Sequence, residues 1–489
     1  MSQIELDKTL NVLPSDLKGG TIHLLGIGGV AMASLAGLLV SQGLRVTGSD
    51  ENIYSPMKEL VEDLLVPVSK GYGPESLGEN ISLVVVGNVV TRKFPVVQTL
   101  LDRAINYLSF PQAMEQLFLA QTNNLVVAGC HGKSSITDLC AHIFTQGGLD
   151  PGFLIGGASL NFQRPFRKGG GEVFIIEGDE YDSAFFLKVP KFVFYRPSVV
   201  ILTSVEFDHA DIYPDLESVV SAYESLILLL PPDGLLLANG MDPLVRKVAR
   251  LAKCPVLYYG ETGDCDWRMS DFRTMGFSSS FSIEGPQGFS LELTWKRMGR
   301  YNALGALAAV AAYKYFGGST RELKGSFLSF TGVKRRQEII YDQDGVTLID
   351  DFAHHPTAVL KTLMAIREAF PARRLIVAFE PRSNTTRRAI FQKEYAISFQ
   401  SADRVYLAQV NQPQKAPEGD RLDLERLKID IGQEKARIYP EASQIAEDIL
   451  EDLRPGDLIV VMSNGDFGKL VSILLNGLQS RDKAHNYGV

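Results

Sequence analysis

Short, unbroken apolar runs that each end in a cluster of polar residues constrain this chain more than any other feature. Residues 125–128 run into Gly129-Cys130-His131-Gly132-Lys133-Ser134-Ser135, and 173–176 into Glu177-Gly178-Asp179-Glu180-Tyr181-Asp182. Residues 199–202 precede Glu206-Phe207-Asp208-His209-Ala210-Asp211, and 346–349 precede Asp350-Asp351-Phe352-Ala353-His354-His355. Residues 375–379 end in Glu380-Pro381-Arg382-Ser383-Asn384, and 458–462 in Ser463-Asn464-Gly465-Asp466. A strand that is apolar without alternation is buried on both faces, as in a parallel sheet covered by helices. In open α/β sheets, ligands bind outside the carboxyl ends of such strands. So many polar clusters at that one place read as a ligand site rather than as solvated turns. The fold class expected is α/β with mostly parallel sheets.

The run at 125–128 carries the most chemistry. Gly129-x-x-Gly132 forms a turn, and a helix is expected from Ser134, with Ile136, Leu139, Cys140 and Ile143 on one face. Strand, glycine turn and helix make a phosphate cradle: backbone N–H groups and the positive helix end attract an anion. Lys133 suits the β- and γ-phosphates, and the Ser134 hydroxyl suits Mg²⁺. The usual P-loop has its first glycine where Val127 stands, so this is a shortened variant.

Nearer the start, residues 21–25 read as a strand, Gly26-Ile27-Gly28-Gly29-Val30-Ala31-Met32 leads into a helix, and a second strand ends near Asp50. Glycines at that spacing, with an acid some twenty residues on, fit a dinucleotide fingerprint. Backbone can approach a phosphate there, and NAD(P) or any other nucleotide diphosphate satisfies the pattern. Another apolar run, 83–86, ends at Gly87-Asn88. Of the 7 histidines, His23, His131, His209, His354 and His355 fall in these strand-end stretches, while His142 and His485 read as ordinary core or capping groups. Glu177 and His209 beside a phosphate cradle suit magnesium, which takes few protein ligands. Asp179, Glu180 and Asp182 read equally as charge-balancing neighbours or as solvated acids.

Composition narrows the function classes. At 489 residues the chain has room for two to four domains. A net charge of −8 argues against nucleic-acid and anionic-membrane partners. No apolar run is long enough to span a membrane, and residues 1–20 lack a secretory pattern. The 4 cysteines have no metal-ligand spacing, as expected for reduced thiols in a cytoplasmic protein. Between 277 and 295 apolar residues alternate in period two across Gly285-Pro286-Gln287-Gly288, which predicts an antiparallel hairpin. A helix from Asn302 to about Tyr315 follows.

Taken together, several of these phrases resemble the Mur ligases, ATP-dependent amide-bond ligases of bacterial peptidoglycan synthesis. They are Gly26-Ile-Gly-Gly with Met32, Gly129-x-His131-Gly-Lys-Ser, Glu177-x-Asp-Glu, Asp208-His209-x-Asp211-x-Tyr213 and Asp350-Asp351-Phe-Ala-His354-His355-Pro-Thr. They run in family order from about residue 21 to 470. Gly178-Asp-Glu-Tyr-Asp, Glu206-Phe-Asp-His-Ala-Asp, Glu380-Pro-Arg-Ser-Asn-Thr and Met462-Ser-Asn-Gly are similar to the branch acting on UDP-N-acetylmuramate. Within it they look most like the members that attach the recycled tripeptide L-alanyl-γ-D-glutamyl-meso-diaminopimelate. The alternative is the member that adds L-alanine alone.

The resemblance implies three domains: 1–122 for the UDP-sugar, a central P-loop domain at 123–338, and 339–489 for the amine substrate and part of ATP. The first glycine turn becomes a UDP-sugar site, formed by Gly26, Gly28, Gly29, Met32, Asp50 and Asn88. ATP is implied at Gly129, His131, Gly132, Lys133, Ser134, Ser135, Asn302, Arg335, Asp351 and His355. Mg²⁺ falls to Ser134, Glu177 and His209, catalysis to Lys133, Glu177 and His209, and the peptide's carboxylates to Arg382 and Asn384. The sequence departs from the family pattern in places. Cys130 and Ser134-Ser135 replace threonines, Tyr301 and Gly305 replace a histidine and an asparagine flanking Asn302, and Asp466 and Lys469 stand where glycines are expected. No lysine occurs between Lys191 and Lys247, so a carbamylated lysine for a second magnesium is absent. A P-loop kinase or simple NTPase explains Lys133 but not the UDP-sugar-type first domain. A regulator that merely binds nucleotide has no need of Glu177 and His209.

Overall fold

The computed structural model describes residue 17, residues 19–410 and residues 412–486, with side chains to 481. The expectations for residues 1–16 and for the His485 side chain lie outside the described residues. The chain divides into two compact units. The first comprises Met1–Glu206, Glu217–Arg268 and Ala306–Ser326; the second comprises Phe207–Leu216, Met269–Gly305 and Phe327–Val489.

The first unit begins with five parallel strands: β1 (Thr21–Leu25), β2 (Arg45–Asp50), β3 (Val68–Lys70), β4 (Ile81–Val86) and β5 (Tyr107–Ser109). Their order, β3-β2-β1-β4-β5, puts β1 in the middle. The chain leaves β1 toward β2 on one side and later returns to β4 on the other. Such a switch point opens a crevice at the strand ends.

The unit's second sheet is built from β6 (Asn123–Ala128), β7 (Gly152–Leu154), β8 (Phe166–Arg167) and β9 (Val173–Gly178). A separate two-stranded hairpin, β10 (Asp182–Ala184) with β11 (Leu187–Pro190), follows. Then come β12 (Pro197–Leu202), β13 (Leu235–Asn239) and β14 (Val256–Gly260). The order is β14-β13-β12-β6-β9-β7-β8, parallel except for β8. Strand β6 therefore lies between β9 and β12, with Ala128 level with Gly178 and Leu202. Three polar strand ends stand side by side. The helix Val30–Ser41 reaches this sheet at Gly37, where a Cβ would come within 1.8 Å of the Phe166 ring.

Strand β15 (Trp267–Met275) pairs with β14 through Trp267 and Arg268. In the second unit β16 (Ser278–Gly285) and β17 (Phe289–Trp295) form the expected hairpin, with Phe281 opposite Leu293. The remaining strands are β18 (Glu338–Gln343), β19 (Val346–Asp351), β20 (Leu375–Phe379), β21 (Arg404–Ala408), β22 (Ala436–Tyr439) and β23 (Leu458–Met462). Their order is β18-β19-β23-β20-β21-β22, with only β18 antiparallel. In β23 alternate residues enter different cores. Leu458, Val460 and Met462 pack with Val359 and Leu363, whereas Ile459 and Val461 pack with Ile445 and Leu470. Both faces are covered, which is why the run shows no alternation. Among the described residues no helix is long and apolar enough to cross a membrane.

One strand-end expectation changes. His23 sits within β1 rather than at its end, 1% exposed, with Nδ1 2.8 Å from Thr47 Oγ1 and Nε2 3.2 Å from Ser49 Oγ. It is a satisfied core imidazole, like His142, whose Nε2 lies 3.0 Å from the Ser326 carbonyl. Burial pulls the His23 pKa from 6.5 down to about 4. As pH falls below 6.5 the unfolded chain takes up this proton before the folded one does. The stability present above pH 6.5 is therefore lost toward pH 4, by up to about 3 kcal/mol. Urea unfolding across that interval should show a shallower loss for His23→Asn than for the parent; parallel curves would contradict a neutral buried imidazole.

Candidate active site

At the end of β1, Gly26 turns with φ +84°, and its N–H reaches the Ser49 carbonyl at 2.9 Å. Gly28 N–H donates to Asp50 Oδ2 at 2.8 Å, and a Cβ on Gly28 would come within 2.9 Å of that oxygen. Gly29 precedes the helix Val30–Ser41 as its N-cap. Gly87 N–H donates to the Leu25 carbonyl at 2.9 Å, placing exposed Asn88 beside the turn, and Met32 is buried next to Gly87. Gly26, Gly28, Gly29, Met32, Asp50 and Asn88 thus gather at the switch point of the first sheet. The sequence gives no sign of Tyr72, whose hydroxyl bonds Asp50; burial and that carboxylate push its pKa up.

The second glycine turn joins β6 to the helix Lys133–Gln146. Gly129 has φ +123°, and a Cβ there would lie 2.2 Å from Thr203 Oγ1 and 2.7 Å from Ser204 N. The loop after β12 grips the turn. Cys130 N–H donates to the Ser204 carbonyl at 3.1 Å, His131 N–H to Ser204 Oγ at 3.2 Å, and Thr203 Oγ1 to the His131 carbonyl at 2.7 Å. The His131 ring is 3.4 Å from Glu206 Oε2. Gly132, also left-handed, precedes Lys133, buried Ser134 and half-buried Ser135 in the first helical turn.

Lys133 Nζ is fixed by the Gly129 carbonyl at 2.8 Å and by both Glu180 carboxylate oxygens at 2.9 Å. Burial works against its charge, yet Glu180 and Asp179 hold its pKa above the ordinary lysine value. Asp179 in turn pairs with Lys191, and against burial the two lysines keep its carboxyl well below the usual range. Two acids read as equally structural or solvated are therefore part of the cradle. Glu177, level with Val127 on the neighbouring strand, accepts from Gly156 N–H at 2.7 Å. The Ser134 hydroxyl and the Glu177 carboxylate are hard oxygen donors of the kind Mg²⁺ takes, so their chemistry fits that ion.

The other predicted residues belong to the second unit. His209 has φ +56°, held by its N–H donating to Asp208 Oδ1 at 2.7 Å. Asp208 is buried; against that burial, His209, His354 and His355 keep its carboxyl well below the usual range. Thr357 N–H donates to His355 Nδ1 at 3.3 Å, so Nε2 carries the proton and reaches the Phe207 carbonyl at 3.1 Å. His355 caps the helix Pro356–Ala369 and holds the 207–213 loop.

Adjacent β19, β23 and β20 bring Asp351, Ser463 and Glu380 side by side. Asp351 accepts from Gln337 N–H at 2.8 Å and Ala353 N–H at 2.7 Å, and burial raises its pKa. Arg335, left-handed at φ +59°, donates to the Ser463 carbonyl at 2.7 Å and lies 3.2 Å from Asp350 Oδ2. Asn302 Nδ2 reaches the Met298 carbonyl at 2.8 Å and Gln337 Oε1 at 3.2 Å, and Gln337 Nε2 donates to Tyr301 hydroxyl at 2.8 Å. Gln337 thus links Asn302 to Asp351, a connection no motif reveals. Beyond β20, Arg382 pairs with Asp466 at 2.9 Å. Asn384 donates to Asp211 at 2.8 Å and accepts from buried Arg387 at 3.1 Å.

Two glycine turns at parallel-strand ends, one carrying a fixed ammonium, define a nucleotide-binding α/β protein equipped for phosphate chemistry. Residues 21–122 match the Mur ligase family catalytic domain, 127–313 the Mur ligase middle domain, and 335–465 the glutamate ligase domain. The chain is 35% identical to the UDP-N-acetylmuramate–L-alanyl-γ-D-glutamyl-meso-2,6-diaminoheptandioate ligase of Escherichia coli (strain K12), over 95% of this chain and 99% of that one. It is 30% identical to the UDP-N-acetylmuramate–L-alanine ligase of Thermobifida fusca (strain YX), over 93% and 95%. A solved murein peptide ligase from Psychrobacter arcticus 273-4 superposes with TM-score 0.70 at 31% identity, over 94% of this chain and 99% of that one. The chain belongs to the Mur ligase family, whose members are ATP-dependent ligases that form amide bonds.

The Lys133–Glu180 pair is open to a direct test. Glu180 is 2% exposed, so replacing it alone strands an ammonium in a poorly solvated place. Glu180→Gln should lower the unfolding free energy by about 3 kcal/mol. Adding Lys133→Met should restore much of that loss, because both charges then leave together. A double variant no more stable than Glu180→Gln in urea would show that the two groups are not coupled.

Proposed function

We propose that this enzyme joins the carboxylate of UDP-N-acetylmuramate to the free amine of L-alanyl-γ-D-glutamyl-meso-diaminopimelate at the expense of ATP, in peptidoglycan recycling in the cytoplasm. The observation that carries the reading is the ammonium of Lys133, fixed at a left-handed glycine turn on a strand end. Kinship at 35% identity to a ligase of that tripeptide favours it over L-alanine. The domains are 1–122 for UDP-N-acetylmuramate, 123–338 for ATP and 339–489 for the peptide. Neither a nucleic acid nor a membrane takes part.

In the first domain Gly26, Gly28 and Gly29 bring backbone to the diphosphate, with Met32, Asp50 and Asn88 around it. The turn Gly129, His131, Gly132, Ser134 and Ser135 cradles the ATP phosphates. Lys133 draws charge onto the γ-phosphate as the muramyl carboxylate attacks it, breaking the bond to ADP, which leaves, and forming an acyl phosphate. The amine of the peptide then attacks the acyl phosphate, and the tetrahedral intermediate collapses with loss of phosphate. Ser134 and Glu177 would hold Mg²⁺, with His209 as a further ligand, and the ion would supply charge neutralisation at the phosphate oxygens. Asp351 bonds the ribose, and Asn302, Arg335 and His355 serve the rest of ATP. Asp351, Asn302 and His355 already hold protein partners, so they act as preset groups rather than mobile ones. Arg382 and Asn384 receive the peptide's carboxylates, because a guanidinium fork matches a carboxylate bidentately.

Phosphate release with UDP-N-acetylmuramate, ATP and Mg²⁺ distinguishes the amines. The tripeptide should be used far more efficiently than L-alanine, and Lys133→Ala should cut the rate on the order of 10² to 10⁴-fold. Equal use of L-alanine would transfer the assignment to the L-alanine ligase. Glu177→Gln and His209→Ala should each raise the Mg²⁺ concentration needed for half-maximal rate. A variant that titrates like the parent has not lost a metal ligand.

A further inference from the structure

Beyond β20, a guanidinium is already engaged by a carboxylate of the chain itself. Arg382 lies over Gly465 so closely that a Cβ there would come within 2.4 Å of its Cδ and Nε. Its Nη1 is 2.9 Å from Asp466 Oδ1 and 3.6 Å from Glu380 Oε1. The two acids differ. The Glu380 side chain is 7% exposed and accepts the Ser463 hydroxyl at 2.6 Å, so it is a fixture. The Asp466 side chain is 69% exposed. Arg387 is close enough to matter: its pKa is lowered by burial and then by the like charge of Arg382, with Glu380 opposing. Arg382 therefore stands between a fixed carboxylate and an exposed one. With Asp466 turned out into water, its place on the Arg382 guanidinium is open to an incoming carboxylate.

We propose that Asp466 is a placeholder carboxylate. Before the amine substrate arrives it occupies the place on Arg382 that a carboxylate of the peptide takes, and the peptide displaces it. This rests on the reading of Arg382 as a peptide-binding residue. An ion pair this exposed shifts an equilibrium by no more than about fivefold, so a substrate carboxylate displaces it readily. A ligand that brings no carboxylate to Arg382 leaves the pair intact and gains nothing from it. Asp466 thereby moderates the affinity for the peptide while leaving a ligand without that carboxylate unaffected.

The test is the steady-state KM for the tripeptide in the parent, Asp466→Ala, Arg382→Ala and the double variant. Asp466→Ala should lower the tripeptide KM by about three- to fivefold while the KM for ATP moves much less. In the Arg382→Ala background the same substitution should have no such effect. An unchanged or raised tripeptide KM overturns the placeholder role, and so does an equal drop without Arg382. A parent that turns over L-alanine but not the tripeptide overturns the substrate reading itself, and the placeholder with it.

Discussion

A parallel sheet covered on both faces leaves a charge one place to stand: the carboxyl edge, where strand gives way to loop. In β23 every residue from Leu458 to Met462 is buried, and the first polar side chain is Ser463. The same holds for β20, where Glu380 follows Phe379, and in β6 the buried run 125–128 gives way to the glycine turn. Neighbouring strands end level with one another, so their first polar residues meet. Ser463 meets Glu380 in this way, and Glu177 comes beside the glycine cradle. Packing requirements therefore produce the clustering that the chemistry then uses.

The edge also sets an electrostatic problem. An ammonium placed there is largely desolvated, which alone favours its neutral form. The chain answers with Glu180, bidentate to Lys133, and with Asp179, whose own surplus is balanced by Lys191. Glu180 faces in while Tyr181 N–H holds Asp179. The result is an ammonium that stays charged with its position fixed, as needed to meet phosphate without reorganising at the moment of reaction.

Much of this was legible in the sequence, for a physical reason. Strands buried on both faces are continuous apolar runs, and left-handed turns favour glycine; β19, β20 and β23 and the turns at Gly26 and Gly129 were visible on that basis. What stayed hidden depends on loops folding back over long separations. Glu180 reaching Lys133, Gln337 joining Asn302 to Asp351, and Asn384 reaching Asp211 follow from no local pattern. His23 was misplaced because periodicity cannot say whether one polar residue within an apolar run ends the strand or sits inside it. Here Thr47 and Ser49 on the adjacent strand supply its partners.

Burial also sorts the polar contacts into two kinds. Lys133–Glu180, Asp208 among its imidazoles, and Asp351 with its two backbone donors are enclosed, and disrupting any of them leaves a polar group without water. Such contacts hold geometry and do not exchange partners. Arg382–Asp466 and Asn384–Asp211 lie at the solvent edge of the second unit, where water can take the place of either partner. Those contacts give way at little cost. In the reaction proposed above, the first kind falls to the nucleotide and the second to the amine substrate, a division that suits a ligase holding its phosphate-binding groups still while admitting and releasing a charged peptide.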